Sequence, residues 1–233
     1  MPMKIITSIR RFRPADAVVV VDVFRSSATI CYGLRNGITE LRVVDKLKEV
    51  FAIAEKNDLK IGEKRGMKPA GFDFSNSPTE MLSEKVRGRR AVFSSTNLAH
   101  ILNSNGPREN VFIGTFCNAY SLAKHLKKFL SVNFVACSSP EWDFYFRFED
   151  LVGIGKILFE LKKFEKLEMN FLSKVCLWIY ENFRAKSLLL SPTTYGTALV
   201  AGWGDIKLCS KENNLSVVPA CEYERNFVGV KSI

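Results

Sequence analysis

The segment 18–30, VVVVDVFRSSATI, constrains the fold of this chain more than any other stretch. The four valines at 18–21 form a continuous apolar run, which is typical of a strand buried on both faces of a parallel sheet. The run ends at Asp22, and Arg25 and several hydroxyl side chains follow before a stretch with helical spacing. The segment therefore predicts a buried strand that ends in a carboxylate and a guanidinium and leads into a helix.

The predicted strand end is also a candidate binding site. In open α/β sheets, ligands bind beyond the carboxyl ends of the strands. Ser26 and Ser27 lie at the predicted helix start, where free backbone N–H groups together with Arg25 favour an anion. A structural interpretation stays open, in which one serine caps the helix and Asp22 and Arg25 form a local ion pair.

The order of strand, polar residues and helix recurs further along the chain. Short apolar strands at 91–93, 111–114 and 132–137 end in polar residues, and helical patterns follow. This alternation predicts an α/β fold built on a βαβ sheet, and the absence of a linker predicts a single domain, 1–233. It places further polar side chains along one edge of the sheet, namely Ser95, Thr96, Asn97, Asn118 and Cys137.

The composition narrows the choice of ligand. The formal net charge is +10, but the basic residues are spread over several predicted helices without a nucleic-acid-binding motif. A small anionic substrate is therefore favoured over nucleic acid. With 6 scattered cysteines, no CxxC pair and 2 histidines, a zinc site or a histidine-rich metal site is not expected. No apolar run is long enough for a membrane span and the start lacks a signal-peptide core, so a cytoplasmic protein is expected.

A long loop without periodicity, 63–79, is a second candidate for function. Phe72 and Phe74 are expected to attach the loop to the body of the protein, while Asp73 and Asn76 face a pocket. In the last third of the chain, the pattern predicts helices at 148–164, 170–183 and 192–203 and closing strands at 204–211 and 215–221. The amphipathic helix 170–183 is compatible with a homodimer interface or with the core.

The acidic residues predicted at strand ends and helix starts are hard oxygen ligands of the kind that Mg²⁺ prefers. P-loop, dinucleotide-binding and nucleophile-elbow motifs are missing, and Cys137 lacks the arginine that a cysteine phosphatase requires. Mg²⁺, an arginine and helix N-termini together are the apparatus of phosphoryl transfer. The residues alone thus indicate a Mg²⁺-dependent enzyme that acts on a phosphorylated anion, with these acids as candidates: Asp22, Glu63, Asp73, Glu149 and Asp150. For Glu149 and Asp150, a favourable interaction with the helix dipole is the structural alternative.

Several motifs carry a resemblance to a known family. DVFRSSATI (22–30) resembles the DVLRATTTI signature of the 2-phosphosulfolactate phosphatase family. Four further blocks resemble motifs of that family in the same order: GEKRGMKPAGFDFSNSP (62–78), SSTN (94–97), VFIGTFCNA (111–119) and ACSS…FEDLVGIG (136–155). The chain departs from the family pattern at Leu98 and Ala99, where the family has Gly-Thr, and its last third fits only loosely.

The resemblance implies a three-layer α/β/α fold with a largely parallel or mixed sheet. It also implies a Mg²⁺-dependent phosphatase that converts 2-phosphosulfolactate to sulfolactate and phosphate in coenzyme M biosynthesis. The residues themselves favour metal-bound water as the nucleophile over an aspartyl-phosphate on Asp22. A different phospho-substrate, or a non-catalytic relative that binds an anion or nucleic acid, is the alternative. The predicted catalytic residues are Asp22, Arg25, Asp73 and Asp150. The predicted metal ligands are Asp22, Glu149 and Asp150. The predicted substrate contacts are Ser26, Ser27, Glu63, Asn76, Ser95, Thr96, Asn97, Asn118 and Cys137.

Overall fold

The computed structural model describes residues 1–137, 148–188 and 202–233, with the backbone alone for 183–188. The described strands form one sheet and are β1 (Met3–Ile9), β2 (Ala17–Val21), β3 (Glu40–Val43), β4 (Leu59–Gly62), β5 (Arg90–Ser94), β6 (Val111–Gly114), β7 (Ser131–Ala136), β8 (Leu167–Met169), β9 (Pro219–Tyr223) and β10 (Val228–Ser232). The described α-helices are α1 (Ser26–Arg35), α2 (Leu47–Ile53), α3 (Leu98–Ser104), α4 (Ala119–Leu126), α5 (Phe148–Leu161), α6 (Phe171–Leu188) and α7 (Trp203–Cys209). Short 3₁₀ turns at Glu80–Leu82 and Glu84–Val86 follow the loop after β4.

The strand order in the sheet is β4-β5-β3-β10-β9-β6-β2-β7-β1-β8. The strands β4, β5 and β3 are parallel to one another, as are β6, β2, β7, β1 and β8. The two last strands of the chain, β9 and β10, join these sets through antiparallel pairings. The predicted α/β fold with a mixed, mostly parallel sheet is therefore confirmed.

Strand β2 lies between β6 and β7 and is completely buried, as its valine run predicts. Val21 pairs with Gly114 of β6 and with Ala136 of β7. The next residue on each of these three strands is Asp22, Thr115 or Cys137. Because neighbouring strands are about 4.8 Å apart, these three residues lie side by side beyond the carboxyl ends of their strands.

Helix α5 packs closely against the residues that flank Asp22. A Cβ on Gly153 of α5 would lie 2.6 Å from Val23 and 3.2 Å from Val21, so both valines face α5. Helix α5 therefore covers the residues on either side of Asp22, whose carboxylate accepts a hydrogen bond from Ser26 at the start of α1 (2.8 Å).

The two parallel sets of strands meet at their carboxyl ends. Three successive antiparallel pairings, β3 with β10, β10 with β9 and β9 with β6, make the strands of one set run opposite to those of the other. Asn76, in the loop after β4, donates a hydrogen bond from Nδ2 to Ser26 Oγ at the start of α1 (3.2 Å). Strand β5 lies five places from β2 in the sheet. A twist of about 20–25° between neighbours accumulates to roughly 100–125° over that distance, which turns the two sets of strand ends toward one another.

The carboxyl-terminal third differs from the sequence prediction. The strand predicted at 204–211 is wrong, because Trp203–Cys209 forms helix α7. Its buried residues Asp205, Ile206 and Cys209 follow helical spacing, which is hard to distinguish from strand alternation in so short a segment. The helices predicted at 148–164 and 170–183 are confirmed as α5 and α6, while most of the helix predicted at 192–203 lies outside the described residues. No helix in the described ranges is both long and apolar enough to cross a membrane.

Candidate active site

Asp22 is buried at the end of β2 and is held by the two serines that begin α1. Its Oδ2 accepts a hydrogen bond from Ser26 Oγ (2.8 Å), and its backbone N–H donates to Ser27 Oγ (3.0 Å). The backbone N–H of Ser27 donates to the Asp22 carbonyl (3.1 Å). Both serines therefore fix the turn between β2 and α1, and Ser26 additionally orients the carboxylate.

The first turn of α5 is attached to the same strand end. Asp150 is fully buried, and its Oδ1 accepts a hydrogen bond from the backbone N–H of Val23 (2.8 Å). Glu149, also buried, precedes it in α5. The structure thus brings Asp22 and Asp150 to the carboxyl end of β2, but within the described residues the three acids that the sequence predicts as metal ligands, Asp22, Glu149 and Asp150, do not surround one point.

Arg25 forms a buried ion pair with an acid that sequence analysis missed. Its Nη1 lies 2.9 Å from Oδ2 of Asp205, and the two side chains are 6% and 1% exposed. Nη2 of Arg25 donates to the carbonyl of Gly66 (3.1 Å). Asp205 Oδ1 also accepts hydrogen bonds from Ser77 Oγ (2.6 Å) and from the backbone N–H of Thr79 (3.1 Å). A single carboxylate of α7 therefore connects the start of α1 to the loop after β4.

Three buried polar atoms near these strand ends have no hydrogen-bond partner among the described residues. They are Oδ1 of Asn76, Oδ1 of Asn97 and Oγ1 of Thr115. A buried polar atom without a partner costs about 1–3 kcal/mol, and such atoms in a native fold are typical of positions that meet a ligand or water. Thr115 was not among the predicted site residues. Its position could have identified it, because Thr115 directly follows β6 just as Asp22 directly follows the neighbouring strand β2.

Glu63 connects two loops of the site. Its Oε2 accepts a hydrogen bond from Gly66 N–H (2.6 Å), and its Oε1 accepts one from Thr96 N–H (2.7 Å). Ser95 Oγ accepts a hydrogen bond from Ala99 N–H (3.2 Å) in the first turn of α3. In this structure, Glu63, Thr96 and Ser95 therefore hold the loops that carry Gly66 and Asn97.

Asn118 and Cys137 are buried beside the site. Asn118 Oδ1 accepts a hydrogen bond from Thr115 N–H (3.0 Å), and its Nδ2 donates to the carbonyls of Ile113 (3.1 Å) and Val217 (3.3 Å). These bonds hold the turn that presents Thr115. The backbone N–H of Cys137 donates to the carbonyl of Val21 (3.0 Å), which extends the pairing of β7 with β2 by one residue.

Asp73 has a different environment from the other predicted acids. Its carboxylate is 43% exposed and lies 3.7 Å from the Lys60 ammonium group, and Oδ2 accepts a hydrogen bond from the backbone N–H of Lys60 (2.8 Å). Phe72 is buried and Phe74 is partly buried on either side of it. The two phenylalanines attach the loop to the body as the sequence predicts, and Asp73 lies at the edge strand β4.

Leu98 and Ala99, which replace Gly-Thr of the family motif, are both fully buried in the main hydrophobic core at the start of α3. They therefore contribute apolar packing beneath the loop of Asn97.

Acidic groups outnumber basic ones among the buried residues that this part of the structure describes. Five carboxyl groups accompany the single guanidinium of Arg25 and belong to Asp22, Glu63, Glu149, Asp150 and Asp205. The described residues contain no cluster of three or more histidine, cysteine or acidic side chains around one point. Mg²⁺ usually takes one or two carboxylates and completes its shell with water and substrate oxygens, so a pair of these acids is a sufficient donor set.

Comparison with known proteins identifies the family of this chain. The family model described as 2-phosphosulpholactate phosphatase matches residues 5–224. A "Probable 2-phosphosulfolactate phosphatase" of Carboxydothermus hydrogenoformans is 32% identical over 93% of this chain and 90% of that protein. Its counterpart in Caldanaerobacter subterraneus is 29% identical over 87% of this chain and 86% of its own length. The "2-phosphosulfolactate phosphatase" of Methanocaldococcus jannaschii is 34% identical over 63% of this chain and 64% of that protein. The chain therefore belongs to the 2-phosphosulfolactate phosphatase family, which consists of enzymes that hydrolyse phosphoric monoesters.

Proposed function

We propose that this protein is a Mg²⁺-dependent phosphatase whose substrate is a small acidic phosphate monoester, 2-phosphosulfolactate in the first instance. The observation that carries the proposal is the hydrogen-bonded arrangement of Asp22, Arg25, Ser26 and Asn76 at the carboxyl end of β2, in a chain of this family. The names of the relatives supply the substrate. A cytoplasmic location and a role in coenzyme M biosynthesis belong to the same proposal.

Arg25 is the proposed anion-binding side chain. An arginine has five N–H donors, and Arg25 uses two of them within the described part of the chain. The other N–H groups can bind phosphate or sulfonate oxygens, which guanidinium groups recognise in pairs. Because Arg25 is anchored by Asp205 and Gly66, it meets the substrate as a fixed donor.

Asn76, Asn97 and Thr115 are the proposed uncharged contacts. Their side-chain oxygens lack partners within the described residues, so the fold leaves acceptors at this edge of the sheet. The amide oxygens of Asn76 and Asn97 can accept a hydrogen bond from water or from the departing alcohol, whereas the Thr115 hydroxyl can also donate one to a phosphate oxygen. We assign them the orientation of the attacking water and of the leaving alcohol.

Mg²⁺ would be held by a pair of these acids, Asp22 and Asp150. Both carboxylates are buried beside the carboxyl end of β2, and carboxylate oxygens are ligands that Mg²⁺ prefers. When bound, the ion supplies positive charge that offsets the acids and the phosphate and polarises a phosphoryl oxygen.

The reaction is hydrolysis of one ester bond. Water attacks phosphorus, the bond between phosphorus and the ester oxygen breaks, and the leaving oxygen takes up a proton to give a 2-hydroxy acid. The second product is inorganic phosphate. Asp22 is suited to accept the proton of the attacking water, because its orientation is fixed by Ser26 and general bases must be held within hydrogen-bond distance.

The test is phosphate release from 2-phosphosulfolactate, with 2-phospholactate as the matched ester that lacks the sulfonate. We expect turnover that requires Mg²⁺, that EDTA abolishes, and that falls by about 100-fold or more in Asp22→Asn. Glu84→Gln is the matched control, because Glu84 is 85% exposed in a surface pair with Arg87. The proposal is wrong if no ester is cleaved, or if cleavage is unaffected by both EDTA and Asp22→Asn. Equal rates on the two esters would support the phosphatase activity but would show that the enzyme does not recognise the sulfonate group.

A further inference from the structure

We propose that Asp205 is a positioning residue that holds Arg25 in the orientation required to bind the phosphate group of the substrate. This inference rests on the function proposed above and adds a residue from the carboxyl-terminal third, where the family motifs that the sequence reveals do not reach. It is drawn from three hydrogen bonds to one buried carboxylate.

Asp205 combines two elements that are far apart in sequence. Its Oδ2 accepts a hydrogen bond from Arg25, 180 positions earlier (2.9 Å), and its Oδ1 accepts one from Ser77, 128 positions earlier (2.6 Å). Thr79 N–H adds a third bond at 3.1 Å. The carboxylate therefore fixes Arg25 relative to the loop that also carries Asn76, whose amide bonds to Ser26.

The contacts of Arg25 indicate that Asp205 orients the guanidinium group. Asp205 on Nη1 and the Gly66 carbonyl on Nη2 fix the plane of the Arg25 guanidinium group. A fixed plane is what recognition of two phosphate oxygens at once requires. In addition, holding the group before the substrate arrives removes the entropy cost of ordering a long side chain.

Another buried ion pair shows how a purely structural pair differs. Lys156 and Glu160 of α5 are 4% and 1% exposed and lie 2.5 Å apart. Lys156 also bonds to Glu212 (2.9 Å), so two of the three N–H groups of its ammonium are used within the protein. Arg25, by contrast, uses two N–H groups of five for the protein and lies at the strand end where the proposed ligands meet. This difference makes Glu160→Gln the matched control for Asp205→Asn.

The experiment compares Asp205→Asn, Arg25→Lys and the double variant in two assays, with Glu160→Gln beside them. The first assay measures KM and kcat for phosphate release, and the second measures binding of inorganic phosphate by calorimetry in the presence of Mg²⁺. We expect Asp205→Asn to raise both KM and the phosphate Kd by about tenfold or more, since a charge-assisted hydrogen bond is disturbed. In the Arg25→Lys background, the same substitution should change them by less than about twofold. Glu160→Gln should lower Tm while changing KM and Kd by less than about twofold.

The inference is overturned if Asp205→Asn leaves KM and phosphate affinity unchanged, or if its effect is undiminished in the Arg25→Lys background. Should Asp205→Asn not fold, Ser77→Ala removes one hydrogen bond to Asp205 and retains the ion pair. A rise of about threefold in KM is then expected, and an unchanged KM would equally overturn the inference. Failure of the proposed function gives a different result, because the wild-type protein would then release no phosphate from any ester while the binding assay still reports on Arg25 and Asp205.

Discussion

The buried network around Glu160 yields a stability prediction with a defined pH dependence. Glu160 Oε1 contacts the Lys156 ammonium at 2.5 Å and accepts a hydrogen bond from Asn213 (2.9 Å), while Oε2 accepts one from Lys163 (2.6 Å). Burial alone would raise the pKa of Glu160, but these donors outweigh it and lower the pKa from 4.5 to about 2.

Glu160→Gln should therefore destabilise the protein by about 3 kcal/mol at neutral pH. A pKa that falls from 4.5 to about 2 on folding corresponds to that amount, because a tenfold change in acid strength is worth about 1.4 kcal/mol. Removal of one member of a buried ion pair costs about 3–5 kcal/mol by direct measurement in other proteins, so the two magnitudes agree.

The sign of the pH effect follows from the direction of the pKa change. Because the folded pKa lies below the unfolded one, the unfolded chain takes up the proton first as the pH falls. The contribution of Glu160 is thus complete above pH 4.5 and is lost as the pH falls to about 2. The difference in unfolding free energy between wild type and Glu160→Gln should shrink from about 3 kcal/mol at pH 7 to below about 1 kcal/mol near pH 2.

Urea unfolding followed by circular dichroism between pH 7 and pH 2 measures this difference. The Glu84→Gln variant is the control, because Glu84 is an exposed acid. Its urea unfolding curves should overlay those of the wild type at each pH. A difference that stays constant down to pH 2 would refute the reasoning, because the loss would then come from packing and not from the charge of Glu160.

Three further substitutions test the packing around the site. Thr115→Val should raise the free energy of unfolding by about 1 kcal/mol, since it removes a buried hydroxyl that has no partner in the described part of the chain. It should also lower turnover, and unchanged values in both assays would contradict its place in the site. Gly155→Ala should cost about 3 kcal/mol in urea unfolding, because the new Cβ would lie 2.1 Å from the carbonyl oxygen of Cys176; a neutral result would show that α5 and α6 separate freely. Asn118→Ala should cost about 3 kcal/mol, since it leaves one buried N–H and two carbonyls without their bonds; retention of wild-type stability in thermal unfolding would mean that water replaces them.

The local part of the site was predictable from sequence because it is encoded within a few residues. The valine run fixes β2, and its end fixes Asp22, Ser26 and Ser27 at the start of α1. The alternation of Phe72, Asp73 and Phe74 also predicts where Asp73 lies. When two apolar residues face the body of the protein, the residue between them points outward. The exposed position of Asp73 could therefore have been anticipated, whereas the family resemblance assigned it a catalytic role.

The long-range part was not predictable, and Asp205 shows why. Its helix α7 has 7 residues, too few for a helical pattern to be separated from a strand pattern. Its partner Arg25 lies 180 positions away, and the two strands that follow α7, β9 and β10, lie in the middle of the sheet. Strand order of this kind depends on packing of whole elements, which no local pattern records.

The distribution of charge connects the fold to the proposed chemistry. The net charge of +10 belongs to the chain as a whole, while the buried groups at the end of β2 are mainly acids. A net positive chain raises the local concentration of an anionic substrate, whereas buried carboxylates favour a cation or a hydrogen-bond donor. Arg25 alone does not change this balance, because the charge of Asp205 offsets its own. The two observations are reconciled if Arg25 supplies direction and Mg²⁺ supplies charge, which is the division of labour that the proposed site requires.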